Sequence, residues 1–551
     1  MMKIKLFVSL SVILFLNLTA FSQAKTLQEE VLIHVDKKLL VPGDLLKFNF
    51  FVRSLDNGRL SEDSDVLYVS LFNQRSERLW THKLLVQKGV ASGDFMMPSD
   101  WISGNYLLEA HTLAMQAYGE GAFSTQELLF YNPFQEPKRD EESREAVELV
   151  PPTSDVENRK ILLQFDHRKY EKRSRVDFKL MTRNGADLDS YFSFKVSLVE
   201  LIDIEDNRSE PLFLEAKEEP LFEMGGERFT AFVQDANGKA MAEKYLAVSI
   251  PDEPFRLMFS RTDENGLADL IIPENRLSDE VFVQVYGKNH RDFKVSMLNK
   301  EIKELQPKWV NSIELSESDK ILLSDYAIKN QIEASFYDLK SHRLLNKKDD
   351  AGQMNLSSKE VFYLDDYSRF PSLKETFTEV IKEASIGKKG AKLISSQTDI
   401  KTKYPPLVLF NGVLTQEYEQ LMDYNAGQVN RIEIFRDPYS FYDNNFLGLI
   451  EIFTIDPELR LYARGNYMTS KRIPPPYKGK RYYNQRYDSG SWENIPDFRR
   501  TLFWQAPVYV RGSEQELSIY TSDVAGWYKI ELLGVDKNGE LTQIIDYFEV
   551  K

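Results

Sequence analysis

The chain has 551 residues, 42% of them hydrophobic, and a formal net charge of −15 from 70 basic and 85 acidic residues. Because this acidic balance opposes binding to a phosphate backbone, we predict no nucleic-acid partner. The absence of cysteine excludes disulfides, thiolate metal sites and cysteine nucleophiles, and the length predicts several domains with separate apolar cores.

Residues 1–24 have the pattern of a secretory signal peptide: Lys3 and Lys5, an apolar run over 6–18, and the small-residue site Ser22-Gln23-Ala24. An uncleaved membrane anchor is the alternative, but the run is short for a bilayer span. We expect an exported protein with no transmembrane helix after signal cleavage. Its predicted location is the periplasm or the outer membrane, with the cell surface as a further option.

Residues 25–134 predict a β-sandwich, since short runs such as Leu46, Phe48, Phe50 and Val52 alternate between turn signals. Four motifs follow one another here: Val35-Asp36-Lys37-Lys38, Val41-Pro42-Gly43-Asp44, Gly93-Asp94-Phe95 and Ser103-Gly104-Asn105-Tyr106-Leu107. Their order resembles that of bacterial macroglobulin-type β-domains. The resemblance implies a charged strand, a Pro-Gly-Asp turn and a Gly-x-Tyr strand, and it makes Gly43, Asp44 and Tyr106 candidate interaction or structural residues.

The rest of the chain alternates β-patterned segments with polar connections. Three Asp-x-Asn-Gly tetrapeptides are predicted as turns, because a calcium loop places its glycine at position six and not four. The predicted segments are an acidic linker (135–159), a β-sandwich (160–220), an immunoglobulin-like β-domain (221–300), a mixed connecting segment (301–356), a small α/β domain (357–456), a Pro- and Tyr-rich linker (457–490) and a C-terminal β-domain (491–551).

The small α/β domain carries the most specific motif. Its pieces are Pro406-Leu407-Val408-Leu409-Phe410-Asn411-Gly412, Val429-Asn430-Arg431-Ile432-Glu433-Ile434-Phe435, Asp437, Ser440, Tyr442 and Gly448-Leu449-Ile450-Glu451-Ile452-Phe453-Thr454. In order and spacing they resemble the plug domain of TonB-dependent outer-membrane receptors. Asp443 stands where that family has a glycine, and no TonB-contacting segment is recognisable near the mature start. Too few residues follow Thr454 for a large transport barrel.

The resemblance implies a small β-α-β-β fold and makes Gly412, Tyr442 and Gly448 candidate interaction or structural residues. From strand alternation we expect Ile432, Ile434, Ile450 and Ile452 to face the core, and Glu433 and Glu451 to face solvent. The predicted fold of the whole chain is therefore mainly β and multidomain, with immunoglobulin- or macroglobulin-like sandwiches and one small plug-like α/β domain.

We predict no catalytic residue, no cofactor site and no metal site. Asp365 and Asp366 are adjacent and would point to opposite faces of a strand, unlike a catalytic pair. His290-Arg291-Asp292 imitates a kinase loop without the accompanying motifs. The six histidines have no ligand spacing.

The sequence thus favours a non-enzymatic binding or assembly protein whose plug-like domain docks with an outer-membrane barrel or other envelope proteins. One alternative is a non-covalent macroglobulin-like protease-binding, defence or adhesion factor, since a thioester needs a cysteine. The other is an enzyme whose site is assembled across domains.

Overall fold

The computed structural model describes residues 28–135, 161–183, 185, 189–200, 214, 216–252, 254–298, 315–340, 342–344, 359–388, 390–394, 405–441, 444–458, 465–488 and 492–551, with only the backbone described within 438–445. The predicted signal peptide, residues 136–159 and Tyr442 lie outside this part of the chain. The chain divides into two compact units: residues 1–224, 302–345 and 477–551 form the first, and residues 225–301 and 346–476 form the second.

The first unit begins with a sandwich of two sheets, ordered β1-β3-β6 and β2-β8-β7-β4-β5. The predicted run Leu46, Phe48, Phe50 and Val52 is fully buried between them, so the alternating pattern places one face of β3 in the core. The strands are β1 (Glu29–Val35), β2 (Leu39–Leu40), β3 (Leu45–Ser54), β4 (Val66–Asn73), β5 (Arg78–Leu85), β6 (Val90–Met96), β7 (Gly104–His111) and β8 (Ser124–Phe130), and short 3-10 helices span Ala114–Tyr118 and Glu120–Ala122.

A second set of four strands follows in the first unit: β9 (Ile161–Phe165), β10 (Lys169–Tyr170), β11 (Arg175–Thr182) and β12 (Ser190–Leu198). Within the described residues these strands complete no sandwich by themselves. Their partners in the two sheets are the last strands of the chain.

The second unit contains another sandwich. Its strands are β13 (Glu227–Asp235), β14 (Tyr245–Ile250), β15 (Arg256–Arg261), β16 (Leu267–Ile272), β17 (Glu280–Tyr286) and β18 (Phe293–Met297), with a 3-10 helix over His290–Asp292. The sheet β16-β13-β18 packs on a sheet that contains β15-β14-β17.

The longest described helix, α1 (Glu317–Ala334), belongs to the first unit and begins with a capping box between Ser316 and Asp319. Leu323, Tyr326 and Ala327 are its buried residues, and they pack on the sandwich next to β2 and β8. A 3-10 helix (Tyr337–Lys340) and β19 (Arg343–Leu344) follow.

The predicted small α/β domain lies in the second unit as a mixed sheet ordered β20-β25-β26-β23-β24, in which only β23 and β26 run parallel. Its elements are β20 (Lys359–Tyr363), α2 (Leu373–Glu379), β21 (Ala384–Gly387), β22 (Gly390–Leu393), β23 (Leu407–Phe410), β24 (Val413–Leu414), α3 (Tyr418–Met422), β25 (Val429–Phe441) and β26 (Asn444–Thr454), with 3-10 helices over Leu364–Asp366 and Ala426–Gln428. The four predicted isoleucines lie in the core that this sheet forms with the helices.

The expectation that Glu433 and Glu451 face solvent is wrong. The two residues pair directly across β25 and β26, yet they are only 3% and 2% exposed. The reason is that the second face of the sheet packs against β14 and β15 of the neighbouring sandwich through Leu409, Phe435 and Leu449. Lys359 and Arg431 form ion pairs with Glu433 there.

The final six strands of the chain add to sheets of both units. β27 (Met468–Arg472) joins the sheet β15-β14-β17-β27 of the second unit, and β28 (Lys480–Arg481) pairs with β19. The last four, β29 (Thr501–Val510), β30 (Glu514–Tyr520), β31 (Gly526–Asp536) and β32 (Leu541–Val550), complete the sheets β30-β11-β9 and β10-β32-β31-β12-β29. The segments predicted as separate β-domains at 160–220 and 491–551 therefore build one sandwich with one core.

The two sandwiches of the first unit have the same topology, strand for strand. β1–β8 correspond to β9–β12 followed by β29–β32, and in each sandwich the short second strand runs parallel to the last one. The Tyr106 hydroxyl donates to the Ile102 carbonyl at 2.8 Å, and the Tyr528 hydroxyl to the Val524 carbonyl at 2.9 Å. The second sandwich is thus a repeat of the first, interrupted by residues 199–500. The predicted mainly β, multi-sandwich fold is confirmed.

The repeated sandwiches pack on each other through the outer faces of two sheets. Phe51 and Val90 of the first contact Leu533 and Val535 of the second. At the edge of this junction the backbones of Gly58 and Gly539 touch, and Arg53 donates to the Gly539 carbonyl at 3.0 Å.

We predict that Gly539→Ala destabilises this junction, because a Cβ there would lie 2.5 Å from the carbonyl carbon of Gly58. Gly512→Ala is the matched control: its φ of +93° is close to the +87° of Gly539, but its Cβ would meet nothing within 4 Å. Denaturant unfolding should show Gly539→Ala to be less stable than the control by about 1–3 kcal/mol. Equal losses in the two variants would contradict the close contact.

Candidate functional site

The predicted Pro-Gly-Asp turn lies at the centre of a polar cluster in the first unit. Gly43 adopts a φ of +80°, which favours glycine, and presents Asp44 inward. Asp44 accepts hydrogen bonds from the Val41 amide at 2.9 Å and from Asn330 of α1 at 3.0 Å, and it forms an ion pair with Arg500. The turn therefore connects three separate parts of the chain.

The charges around Asp44 are buried and matched. Burial alone would raise the pKa of Asp44, but the positive charges of Arg500 and Lys37 outweigh it and lower this pKa to about 2. The Arg500 guanidinium also lies 4.5 Å from the ring centroid of Tyr326 on α1. Asp44 is thus ionised at neutral pH, and its hydrogen bonds and ion pairs hold it in one position.

Both ends of the long insertion are held at this turn. Glu200, on the outgoing side, accepts from the backbone amides of Lys38 and Leu39 at 2.7 and 3.0 Å. On the returning side Thr501 donates to Asp36 at 2.9 Å, beside the Arg500–Asp44 pair. A small cleft lies between the two ends; its lining includes Lys37, Leu39, Glu200, Tyr326 and Arg500. We call this cluster the insertion root.

A second polar cluster lies in the junction between the repeated sandwiches. His34 Nδ1 is 2.7 Å from the Ser193 hydroxyl, and His34 Nε2 is 3.9 Å from Glu531, which pairs with Lys195 at 2.9 Å. This order of groups imitates a nucleophile, a base and an acid. The serine is fully buried, however, so the cluster joins the sandwiches and offers a substrate no access.

The other predicted site residues have structural positions. Tyr106 stacks on Trp101 with ring centroids 5.2 Å apart, and burial raises its pKa to about 12. Gly412 has a φ of +77°, and a Cβ there would lie 2.8 Å from Pro251 Cα. Gly448 has a φ of +84° at a bulge between β25 and β26, facing the Phe435 carbonyl. Tyr442 lies outside the described residues.

Gly43 and Asp44 are neighbours in one turn of the first unit. In the second unit Gly412, between β23 and β24, and Gly448, in β26, belong to the same sheet. Sequence reasoning assigned no role to Glu200, Arg500 or Thr501, which lie far from the turn in the chain. The signal that could have found them is the repeat itself. Aligning residues 161–198 and 501–550 with the first sandwich shows that these three residues lie at the two ends of the insertion. No cluster of metal-ligating residues occurs in the described part of the chain, and no helix there is long and apolar enough to span a membrane.

No family model and no curated protein matches the sequence. Among solved structures the chain is similar to Salmonella alpha-2-macroglobulin reacted with methylamine, with a TM-score of 0.25 and 8% identity over 96% of this chain and 40% of that chain. It is also similar to Escherichia coli alpha-2-macroglobulin activated by porcine elastase, with a TM-score of 0.25 and 8% identity over 95% of this chain and 44% of that chain. For the Escherichia coli adhesin FdeC the TM-score is 0.15 and the identity 9%, over 48% of this chain and 61% of that chain.

The chain thus spans less than half the length of these macroglobulins, and scores of this size do not establish a shared fold. None of the three structures is a TonB-dependent receptor. The likeness of residues 406–454 to a receptor plug stays a prediction.

We predict that Asp44→Asn lowers the free energy of unfolding by about 3–5 kcal/mol, because Arg500, whose side chain is only 11% exposed, loses its counter-charge, and Lys37 keeps only its ion pair with Asp36. Asp365→Asn is the control: its side chain is 78% exposed and pairs with Arg369, so the loss of stability should stay below about 1 kcal/mol. Denaturant unfolding followed by far-ultraviolet circular dichroism measures both, because all six tryptophans lie outside the unit that contains Asp365.

The same comparison has a pH dependence. Since the folded pKa of Asp44 is about 2 and its ordinary value is 3.8, its contribution is present above pH 3.8 and is lost as the pH falls towards 2. Asp44→Asn should remove that part of the acid dependence, and an unchanged acid profile would contradict the assignment.

Proposed function

We propose that the protein is a non-enzymatic binding or assembly protein of the cell envelope. In this proposal its mixed α/β module docks with an outer-membrane barrel or another envelope protein. The observation that carries the proposal is the open edge of the module: among the described residues, β20 pairs with β25 on one side only. An open strand edge presents a row of backbone donors and acceptors that a strand of another protein can extend.

The surroundings of this edge support the proposal. Tyr363 at the end of β20 is 51% exposed and Tyr367, just beyond it, is 44% exposed; exposed tyrosines are typical of protein interfaces. The other edge of the sheet, at β24, lies against β14, since the Leu414 amide donates to the Ser249 hydroxyl at 3.1 Å. Among the described strands of this sheet, a partner strand therefore has one accessible edge, next to β20.

The absence of a reaction is part of the same proposal. The serine of the buried Ser193–His34–Glu531 group is inaccessible. Asp44 of the insertion root is held in an ion pair with Arg500, and Glu433 of the α/β module in one with Arg431. A neighbouring positive charge stabilises the ionised carboxylate and lowers its basicity, which makes it a weak acceptor for a substrate proton.

Photocrosslinking in the cells that produce the protein tests the docking site. We expect a photoreactive amino acid at position 363 to yield a covalent adduct with an outer-membrane protein. The same group at Tyr509, which is 48% exposed in the second sandwich of the first unit, should yield none. Recovery of position 363 without adducts, or with the same adducts as position 509, would refute docking through this edge.

A second candidate function rests on the repeated sandwiches: a non-covalent macroglobulin-like factor that binds proteases or acts in defence or adhesion. The repeat gives the first unit two copies of the turn-bearing sandwich whose sequence motifs resemble macroglobulin domains. If this function is correct, incubation with an endoprotease should give a complex on gel filtration and a loss of protease activity. Digestion with unchanged protease activity would eliminate it.

A further inference from the structure

Helix α1 has two apolar faces, and only one of them is buried. Leu323, Tyr326 and Ala327 face the first sandwich. Ile321, Ile328 and Ile332 are 39%, 51% and 38% exposed. At 3.6 residues per turn these three isoleucines lie within about 40° of one another and opposite the buried face. Exposed isoleucines gathered in one stripe mark an interaction surface more strongly than scattered ones do.

The stripe has the spacing of a coiled-coil seam. Residues 321, 325, 328 and 332 follow at intervals of four, three and four, as the a and d positions of a heptad do. Asp325 is the polar member of the seam; it is 49% exposed and pairs with Lys329 at 2.5 Å. A polar residue within an apolar seam typically selects the partner and the register.

We propose that this face of α1 binds the same face of a second copy of the chain, with the two helices antiparallel. The four-three-four spacing reads identically in both directions, so one register aligns the whole seam. In it Ile321 lies opposite Ile332 of the second copy, and Asp325 lies opposite Ile328, next to Lys329 of that copy. Each aspartate therefore meets a lysine of the other chain, which is the charge complementarity that a two-fold interface requires.

The helix is held in place for such a contact. Asn330 donates to Asp44 at 3.0 Å and Tyr326 stacks on Arg500, so α1 is anchored at the insertion root. Binding by a fixed helix costs little conformational entropy. A single pair of helices of this length forms a small interface, so the expected dimer is weak, with a dissociation constant on the order of micromolar.

Sedimentation velocity over a range of protein concentrations tests the self-association. The wild-type chain should shift from monomer to dimer as its concentration rises. Ile328→Asp should weaken the dimer at least about tenfold, because it puts a second charge into the apolar seam. Ile271→Asp is the matched control, since Ile271 is 49% exposed on a strand of the second unit, and it should dimerise like the wild type.

Cysteine cross-linking tests the antiparallel register, and the chain has no cysteine of its own to interfere. A mixture of Ile321→Cys and Ile332→Cys chains should give a covalent dimer with a short bis-maleimide. Either variant alone should give little, because its two cysteines would lie about 16 Å apart along the helices at 1.5 Å per residue.

Cross-linking of Ile321→Cys with itself would overturn the antiparallel arrangement. A wild-type chain that stays monomeric up to about 100 μM, well above a micromolar dissociation constant, would overturn the proposal as a whole. Neither result bears on docking at β20, which the photocrosslinking experiment tests separately.

Discussion

The ion pair between Asp44 and Arg500 is the constraint on which the architecture of the first unit depends. Residues 199–500 leave the second sandwich after β12 and must return to it at β29, so the two ends of the insertion have to be held in register. Glu200, Arg500 and Thr501 achieve this by bonding to one loop of the first sandwich. Because the loop belongs to the other sandwich, the root also joins the repeats. Removing one charge of such a buried pair costs far more than the pair itself contributes.

Each unit combines polar and apolar contacts where its modules meet. In the first unit the junction of the repeated sandwiches combines an apolar contact around Phe51 with a buried polar cluster around His34. Burying polar groups gives little net stability, but it specifies one docking geometry, since every other geometry leaves these groups without partners. In the second unit the α/β sheet meets its sandwich through apolar residues such as Leu409 and Phe435 and through polar contacts, among them the ion pair of Glu417 with Arg291. Glu433 and Glu451 are buried as a consequence.

Local patterns in the sequence were sufficient for individual elements and insufficient for their assembly. Alternation identified β3, and the motif over 406–454 identified strands β23, β25 and β26, because these signals depend on neighbouring residues only. The pairing of 161–198 with 501–550 depends on contacts between residues that are more than 300 positions apart in the chain, which no local pattern records. The turn at Gly43 and Asp44 was recognisable as a motif, but its pairing with Arg500 was not, since the two charges are 456 positions apart in the chain.

The interruption of the second sandwich also determines when it can fold. The first sandwich is built from residues 29–130, whereas β12 finds both of its sheet neighbours, β29 and β31, only in the last 51 residues. Contacts of such long sequence separation form slowly, because the loop that connects them must be closed first. During synthesis, strands β9–β12 therefore remain without most of their sheet until residues 501–550 are made, and in that interval they depend on protection from aggregation.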